Sequence, residues 1–145
     1  MSSESEIREI VDRETRAWDT KDVALLLSVF HPDMVWAWPL TSTSVDPIDW
    51  RLTIGRFDES RWGELYRGLF DSRELVHNRR ETVRVEVSQE LDGGLAIVDI
   101  DTLWRHKTSA EEDQWFGRTC KLYALTADGW KMTSQVGALR YGGLA

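Results

Sequence analysis

His77 is the residue whose position is best suited to acid–base chemistry in a chain that contains three histidines. Residues after about 75 alternate with a period of two, and a regular strand would place His77 on the same face as Val83, Val85 and Val87, facing inward. Imidazole titrates near neutral pH, so an inward histidine could act as a general acid or base. The alternative is a histidine at a strand start that only binds the backbone.

Carboxylates near the end of the first predicted helix could orient this histidine. A carboxylate that accepts a hydrogen bond from the second ring nitrogen fixes the imidazole tautomer. Asp22 follows the helix directly, and Asp19 lies one turn upstream. Both residues could equally be helix caps, and this reading is favoured for Asp22.

Aromatic side chains are unusually abundant, with eight tryptophans in 145 residues. In the stretch VWAWPL, Trp36 and Trp38 would share one face of a strand. Large flat side chains of this kind fill cores or line ligand pockets, and the sequence leaves both roles open for this pair. Trp104 and Tyr66 are further candidates for the walls of a pocket.

Arg118 and Ser134 are the candidate polar contacts for a ligand. Arg118 could point inward and bind an anionic or carbonyl group, or it could pair across strands with Asp99 or Asp101 on the outer face. Ser134 shares strand parity with inward-facing apolar residues, whereas Gln135 would lie on the opposite face. A slip of one residue in register would exchange these faces.

The elements that position these residues are three helices followed by four strands. A capping-box spacing at Ser3 and Glu6 starts a first helix that runs to about Asp19, and Thr20 could cap a short second helix. A third helix begins after Asp58 or Ser60 and carries an apolar stripe. The other predicted elements are a strand at 34–38, a long loop at 41–57, a first long strand that includes 83–87, a turn at 91–94, and strands at 95–106, 114–126 and 130–139.

This order predicts an α+β fold in one domain over residues 1–145, in which an antiparallel meander follows the helices. The chain also resembles the nuclear transport factor 2-like superfamily, in particular its SnoaL-like branch of small bacterial proteins. The similarity lies in "IREIVDRETRAWDTKD", "FHPDMVWAW", "VHNRRETVRVEV" and "ADGWKMTSQVG". The resemblance implies a cone-shaped, strongly curved antiparallel sheet wrapped around about three helices, with an internal pocket.

The resemblance also implies candidate roles without choosing among them. Some dehydratase-like members carry a histidine followed by asparagine near the start of this strand, as in "VHNRR", and Asp22 matches a frequent acidic position. Many relatives have a histidine or an acid near Ser134, and this departure weakens an acid–base mechanism. Family members often form homodimers through the outer face of the sheet, which here would carry Asp99, Asp101, Arg84, Lys121 and Tyr123.

Composition and charge argue against some classes of binding partner. A net charge of −7 and a pI near 5.0 argue against a nucleic-acid surface. No apolar run is long enough to span a membrane, and the N-terminal residues lack the core of a signal peptide. One cysteine, no metal-ligand spacing and no phosphate-binding glycine loop predict a cytoplasmic protein without a metal or cofactor.

The sequence is compatible with two candidate functions. The first is a protein that binds a small apolar or aromatic molecule in an aromatic-lined pocket. The second is a cofactor-free lyase, isomerase or cyclase for a small apolar oxygenated substrate, with His77 as the acid–base group and Asp22 orienting it. In either case Trp36, Trp38, Tyr66, Trp104, Arg118 and Ser134 would contact the ligand.

Overall fold

The computed structural model describes residues 2–41, 43–44 and 46–139, apart from the side chains of 138 and 139. Three α-helices precede a four-stranded antiparallel sheet, so the predicted α+β class and curved sheet are confirmed. The elements are α1 (Ser3–Thr20), α2 (Val23–Leu27), a 3₁₀ turn (Pro47–Asp49), α3 (Glu59–Ser72), β1 (Arg73–Val87), β2 (Gly93–His106), β3 (Glu112–Thr126) and β4 (Gly129–Leu139).

Helix α1 is held by its caps and by one buried face. The Ser2 side chain accepts a hydrogen bond from the backbone N–H of Ser5, so the cap lies one residue before the predicted Ser3. The buried face recurs at helical spacing and includes one carboxylate, Glu14, among apolar residues. Lys21 ends the helix with φ 55°, in the left-handed conformation that is common at this position.

Helix α2 begins at Asp22, whose carboxylate accepts a hydrogen bond of 3.0 Å from the backbone N–H of Leu25. Asp22 therefore caps this helix, and the predicted cap at Thr20 is wrong. Helix α3 begins in the same way, because Asp58 accepts from the backbone N–H of Arg61 at 2.8 Å.

The four strands pair in the order β1-β2-β3-β4, each antiparallel to the next. Three irregularities interrupt the register: between Leu75 and His77, between Thr82 and Arg84, and opposite the Leu122–Tyr123 step of β3. An extra residue at a bulge moves the following side chains to the other face. The bulges therefore decide which polar residues point towards the helices.

The predicted strand at 34–38 is wrong as a regular element. The segment forms only isolated bridges, Val35 with Arg56 and Trp38 with Arg51, so it pairs with the end of the long 41–57 segment instead of with the sheet. The backbone N–H groups of Trp38 and Arg51 each donate to the carbonyl of the other residue. These bonds hold the two tryptophans of the segment in place.

The core lies between the helices and the inner face of the sheet. Trp62, Trp104, Tyr66 and Met132 are among its fully buried members. Lys121 and Tyr123 are also buried there, so the prediction that they lie on the outer face is wrong. Within the described part of the chain, no helix has the length and apolar character needed to cross a bilayer.

Candidate functional site

A cavity of about 130 Å³ lies between the helices, the 36–39 segment and the inner face of the sheet. Five of the eight tryptophans contribute to its wall, so the wall is mainly aromatic. The lining residues are Trp18, Trp36, Ala37, Trp38, Pro39, Trp50, Tyr66, Leu69, Ile100, Trp115, Gly117, Arg118, Thr119, Gln135 and Gly137.

Trp36 and Trp38 form one wall of this cavity. Their ring centroids are 5.2 Å apart at an interplanar angle of 74°, an edge-to-face contact. Trp36 also packs edge-on against the buried ring of Phe30. Trp50 adds a third indole from the long loop, and its Nε1 donates to the carbonyl of Ser44 at 3.2 Å. The sequence left core and cavity roles open for Trp36 and Trp38, and the structure places both at the cavity.

Tyr66 is brought to the cavity by α3, packed between the rings of Trp18, Phe30 and Phe70. Its hydroxyl is buried and has no hydrogen-bond partner among the described residues. Burial, together with the negative charge of Glu14, raises the pKa of Tyr66 well above its ordinary value of 10.0. Tyr66 is therefore a neutral hydroxyl that can donate a hydrogen bond.

A cluster of buried charged side chains lies behind the aromatic wall. Lys121 Nζ donates to Oε1 of Glu14 at 2.7 Å and to Oε1 of Gln135 at 2.9 Å. Oε2 of Glu14 accepts from Trp18 Nε1 at 3.2 Å and from Arg80 Nη1 at 3.4 Å. We call Glu14, Arg80 and Lys121 the buried charge cluster. Two of its hydrogen-bond partners, Trp18 and Gln135, line the cavity.

Arg80 is held in this cluster by several other contacts. Its Nε donates to Asn78 Oδ1 at 2.9 Å, and its guanidinium lies 5.5 Å from the ring centroid of Trp18. Asn78 in turn accepts from the Thr102 hydroxyl at 2.7 Å and donates to Asp19 at 2.9 Å. The network thus fixes the guanidinium between α1 and the inner face of β1.

The pKa values in the cluster are set by burial and by the mutual attraction of its charges. Burial pushes the pKa of Glu14 upward, but the positive charges of Lys121 and Arg80 outweigh it and leave the pKa below 4.5. Burial lowers the pKa of Lys121 below 10.5, and the carboxylate of Glu14 opposes this shift. Burial likewise lowers the pKa of Arg80 below its ordinary value, and the carboxylate of Glu14 opposes this shift. We conclude that Glu14 is ionised at neutral pH.

His77 does not reach the cavity wall. The bulge before it places His77 opposite Leu103 on the outer face, where Nε2 lies 2.9 Å from Oδ1 of Asp101. The inward orientation predicted from the parity of Val85 and Val87 is wrong, because a second bulge, at Val83, lies between them and His77 and breaks that parity. Burial raises the pKa of Asp101, but hydrogen bonds from His77 and Gln114 outweigh it and leave this pKa below 3.8.

The bulge in β4 exchanges the predicted faces of Ser134 and Gln135. Ser134 pairs with the exposed Leu122 on the outer face, whereas Gln135 pairs with buried Lys121 and lines the cavity. The extra residue is Thr133, between the Met132–Tyr123 and Ser134–Leu122 pairs. The inward polar group predicted at Ser134 is therefore an amide at the next position.

The predictions that Arg118 and Trp104 contact a ligand agree only in part with their positions in the structure. Arg118 belongs to the cavity lining, but its guanidinium donates two hydrogen bonds to Asp99, at 2.7 and 3.0 Å. These bonds, more than the opposing burial, lower the pKa of Asp99 below 3.8. Trp104 is fully buried and packs against Trp18 and Trp115 behind the wall, outside the lining.

The remaining predicted site residue, Asp22, lies at the exposed start of α2 and is not part of the lining. The structure thus brings the side chains of Trp36, Trp38 and Tyr66 to one cavity, whereas the side chain of Arg118 pairs with Asp99 on the outer face of the sheet. Within residues 2–41, 43–44 and 46–139, no three side chains of His, Cys, Asp or Glu are grouped so that they could hold a metal ion.

The buried charge cluster was missed by the sequence reasoning, although it left signals. Glu14 occupies a position of the apolar stripe of α1, where a carboxylate is expensive unless it is paired. Lys121 likewise falls on the buried parity of β3, between Thr119 and Tyr123. An acid on one inward face and a lysine on another predict a buried pair.

Comparisons with known proteins identify the fold. The family model of the SnoaL-like domain matches residues 1–135 of the sequence. No match is found among curated proteins. A ketosteroid isomerase-like protein from Erwinia carotovora atroseptica is similar in structure, with a TM-score of 0.74, 14% identity and coverage of 96% of this chain and 97% of that one.

Two further solved structures agree. A nuclear transport factor 2-like protein from Cytophaga hutchinsonii has a TM-score of 0.68 and 13% identity, and the match covers 96% of this chain and 99% of that one. A nuclear transport factor 2 superfamily protein from Salmonella enterica has a TM-score of 0.66 and 14% identity, with coverage of 94% and 90%. Because the family model covers nearly the whole length, the chain belongs to the SnoaL-like domain family, within the nuclear transport factor 2-like fold.

Proposed function

We propose that this protein binds a small, flat, largely apolar molecule, such as a substituted benzene ring, in the tryptophan-lined cavity. The observation that carries this proposal is the wall itself, to which five tryptophans and Tyr66 contribute. Indole rings offer large apolar faces at a low cost in conformational entropy. A wall of this composition favours aromatic ligands.

The size of the cavity supports a ligand built on one ring. Its volume of about 130 Å³ is similar to that of an engineered apolar cavity of about 150 Å³ that binds benzene in another protein. The edge-to-face contact between Trp36 and Trp38 shows how a further ring could pack against them. Larger molecules would have to extend through the opening.

Polar groups in the wall would orient the ligand. Gln135 lines the cavity with its Oε1 held by Lys121, so its Nε2 is the part of the amide that remains for a ligand. Tyr66 also lines the cavity, and its buried hydroxyl without a partner would be a second donor to a ligand that reaches it. A few such groups within an apolar wall are typical of small-molecule sites.

Catalysis as a cofactor-free lyase, isomerase or cyclase is the alternative, with His77 as the acid–base group and Asp22 as its partner. That mechanism needs the imidazole within hydrogen-bond reach of the substrate. His77 is bonded to Asp101 on the face of the sheet opposite the cavity, and Asp22 caps α2. The geometry therefore favours binding over this mechanism.

A fluorescence titration tests the proposal. Phenol, benzamide and benzoate are added to the wild-type protein and to Trp38→Phe, with Trp130→Phe as the control because Trp130 lies outside the lining. The proposal expects saturable quenching that is weakened in Trp38→Phe and retained in Trp130→Phe. Equal effects of the two variants, or no saturable quenching by any probe, would contradict it.

We further propose a cytoplasmic homodimer that pairs through the outer face of the sheet. This face carries the exposed side chains of Leu122 and Val136 beside the Arg118–Asp99 ion pair. Mixed apolar and charged surface of this kind suits a modest interface. Light scattering across a range of protein concentrations would measure the mass, and a monomer at all concentrations would exclude the dimer.

A further inference from the structure

We propose that the ligand of this cavity carries a carboxylate, which binds at Gln135 next to the buried charge cluster. This inference rests on the proposed function, because it specifies the chemistry of the molecule that the aromatic wall would hold. It follows from three features of the wall and of the side chains behind it: the balance of buried charge, the donors that lack acceptors, and the position of Gln135.

The buried charge cluster contains two cations and one carboxylate. Glu14 Oε1 is 2.7 Å from Lys121 Nζ, and its Oε2 is 3.4 Å from Arg80 Nη1. Exposed fractions of the three side chains are 2% for Glu14, 1% for Lys121 and 7% for Arg80. Asp19 is a further carboxylate that attracts the charge of Arg80, but it is exposed to solvent. A second buried anion would balance the interior charge.

The donors at the wall also lack acceptors. The hydroxyl of Tyr66 is buried without a partner, and this state is costly for a polar group. The amide of Gln135 gives its oxygen to Lys121 and keeps two N–H donors. Thr119 is different, since its hydroxyl already donates to the carbonyl of Val136. The unused groups of Gln135 and Tyr66 are thus donors, which suit a carboxylate.

Gln135 connects the cavity to the charges. Its side chain lines the cavity and contacts Lys121 Nζ at 2.9 Å, so a carboxylate bound to its amide lies one side chain away from the ammonium group. Because Lys121 is buried, salt screens its attraction for a bound carboxylate less than it screens an exposed charge. The net charge of −7 of the whole chain acts over longer distances and is screened more strongly.

Isothermal titration calorimetry at pH 7 with benzoate and benzamide tests the inference, since these probes have similar shape and differ in charge. We expect benzoate to bind wild-type protein about tenfold more tightly than benzamide. Gln135→Glu places a carboxylate beside Lys121, which compensates it in the fold, and this variant should lose the preference for benzoate. Gln89→Glu is the matched control, because Gln89 lies in an exposed turn.

The possible outcomes separate this inference from the proposed function. Benzamide binding as tightly as benzoate, or a preference for benzoate that survives in Gln135→Glu, overturns the carboxylate inference and leaves aromatic binding intact. Failure of both probes to bind contradicts the aromatic site and the carboxylate together. Loss of the preference in Gln89→Glu as well would show a long-range effect of net charge and would also overturn the inference.

Discussion

Glu14 and Lys121 are 107 positions apart in the sequence and form an ion pair of 2.7 Å in the interior. The pair joins α1 to the third strand of the sheet directly behind the tryptophan wall. Burying two charges is costly unless each is compensated. Trp18, Arg80 and Gln135 supply the additional hydrogen bonds that satisfy this pair. We therefore expect the stability of the fold and the chemistry of the cavity to depend on the same residues.

Replacing Glu14 with glutamine should strongly destabilise the protein. The change leaves Lys121 and Arg80 as buried cations without their carboxylate, and breaking a buried pair in this way costs about 3–5 kcal/mol in the free energy of unfolding. Urea denaturation measures this loss. Glu9→Gln is the control, because Glu9 pairs with Arg13 on the half-exposed surface of the same helix and should cost less than about 1 kcal/mol. Equal costs for the two variants would contradict the account.

The pH dependence of the free energy of unfolding should reflect the protonation of Glu14 in the same pair. The pKa of Glu14 in the folded protein lies below its ordinary value of 4.5, so the folded state binds this proton less readily than the unfolded state. The stabilisation is therefore complete above pH about 4.5 and is lost as the pH falls through the lower folded pKa. Urea unfolding between pH 3 and 7 should be less pH-dependent in Glu14→Gln than in the wild type. The remaining slope would come from groups such as Asp99.

Removing the hydroxyl of Tyr66 should weaken ligand binding without lowering the stability of the protein. Tyr66→Phe deletes a buried group without a partner, so the free energy of unfolding of the ligand-free protein should stay equal or rise by about 1 kcal/mol. The same change should weaken the binding of benzoate, because a donor to its carboxylate is lost. Thermal unfolding and calorimetry measure the two effects. A variant that is both less stable and equally competent in binding would contradict the assignment.

Changes at His77 and Asp22 should leave ligand binding unaffected. His77→Gln alters the outer face of the sheet, and Asp22→Ala removes the N-cap of α2 at a cost of about 1 kcal/mol in stability. Neither residue belongs to the cavity lining, so the dissociation constant for benzoate should change less than about twofold in each variant. A tenfold loss of affinity in His77→Gln would restore the acid–base candidate to the site.

The fold was predictable because its signals are local and periodic. Helix α3 shows an apolar stripe with Asp58 as its cap, and the turn at 91–94 separates two alternating segments. The aromatic wall was predictable in part, because Trp36 and Trp38 are two residues apart and share one surface whether or not they form a regular strand. The helix, the turn and the tryptophan pair are each determined by residues that are close together in the sequence.

The polar part of the site could not be derived in the same way, since it depends on bulges. One extra residue at Val83, between His77 and the inward Val85, and another at Thr133 break the parity, so His77 and Ser134 point outward while Asn78 and Gln135 point inward. No residue type in these segments marks the bulges. The positions of Glu14 and Lys121 on inward faces indicate buried charges, but the pairing of two residues more than a hundred positions apart does not follow from the periodicity of either element.

Binding of an aromatic molecule in the tryptophan-lined cavity can be observed at the indole N–H signals of a nitrogen-15 NMR spectrum. Benzoate and phenol are titrated into the labelled protein while the eight indole signals are followed. We expect saturable shifts at Trp36, Trp38 and Trp50, whereas the signal of Trp130, which is outside the lining and bonded to Glu6, should stay unchanged. No saturable shift, or shifts largest at Trp130, would contradict the claim.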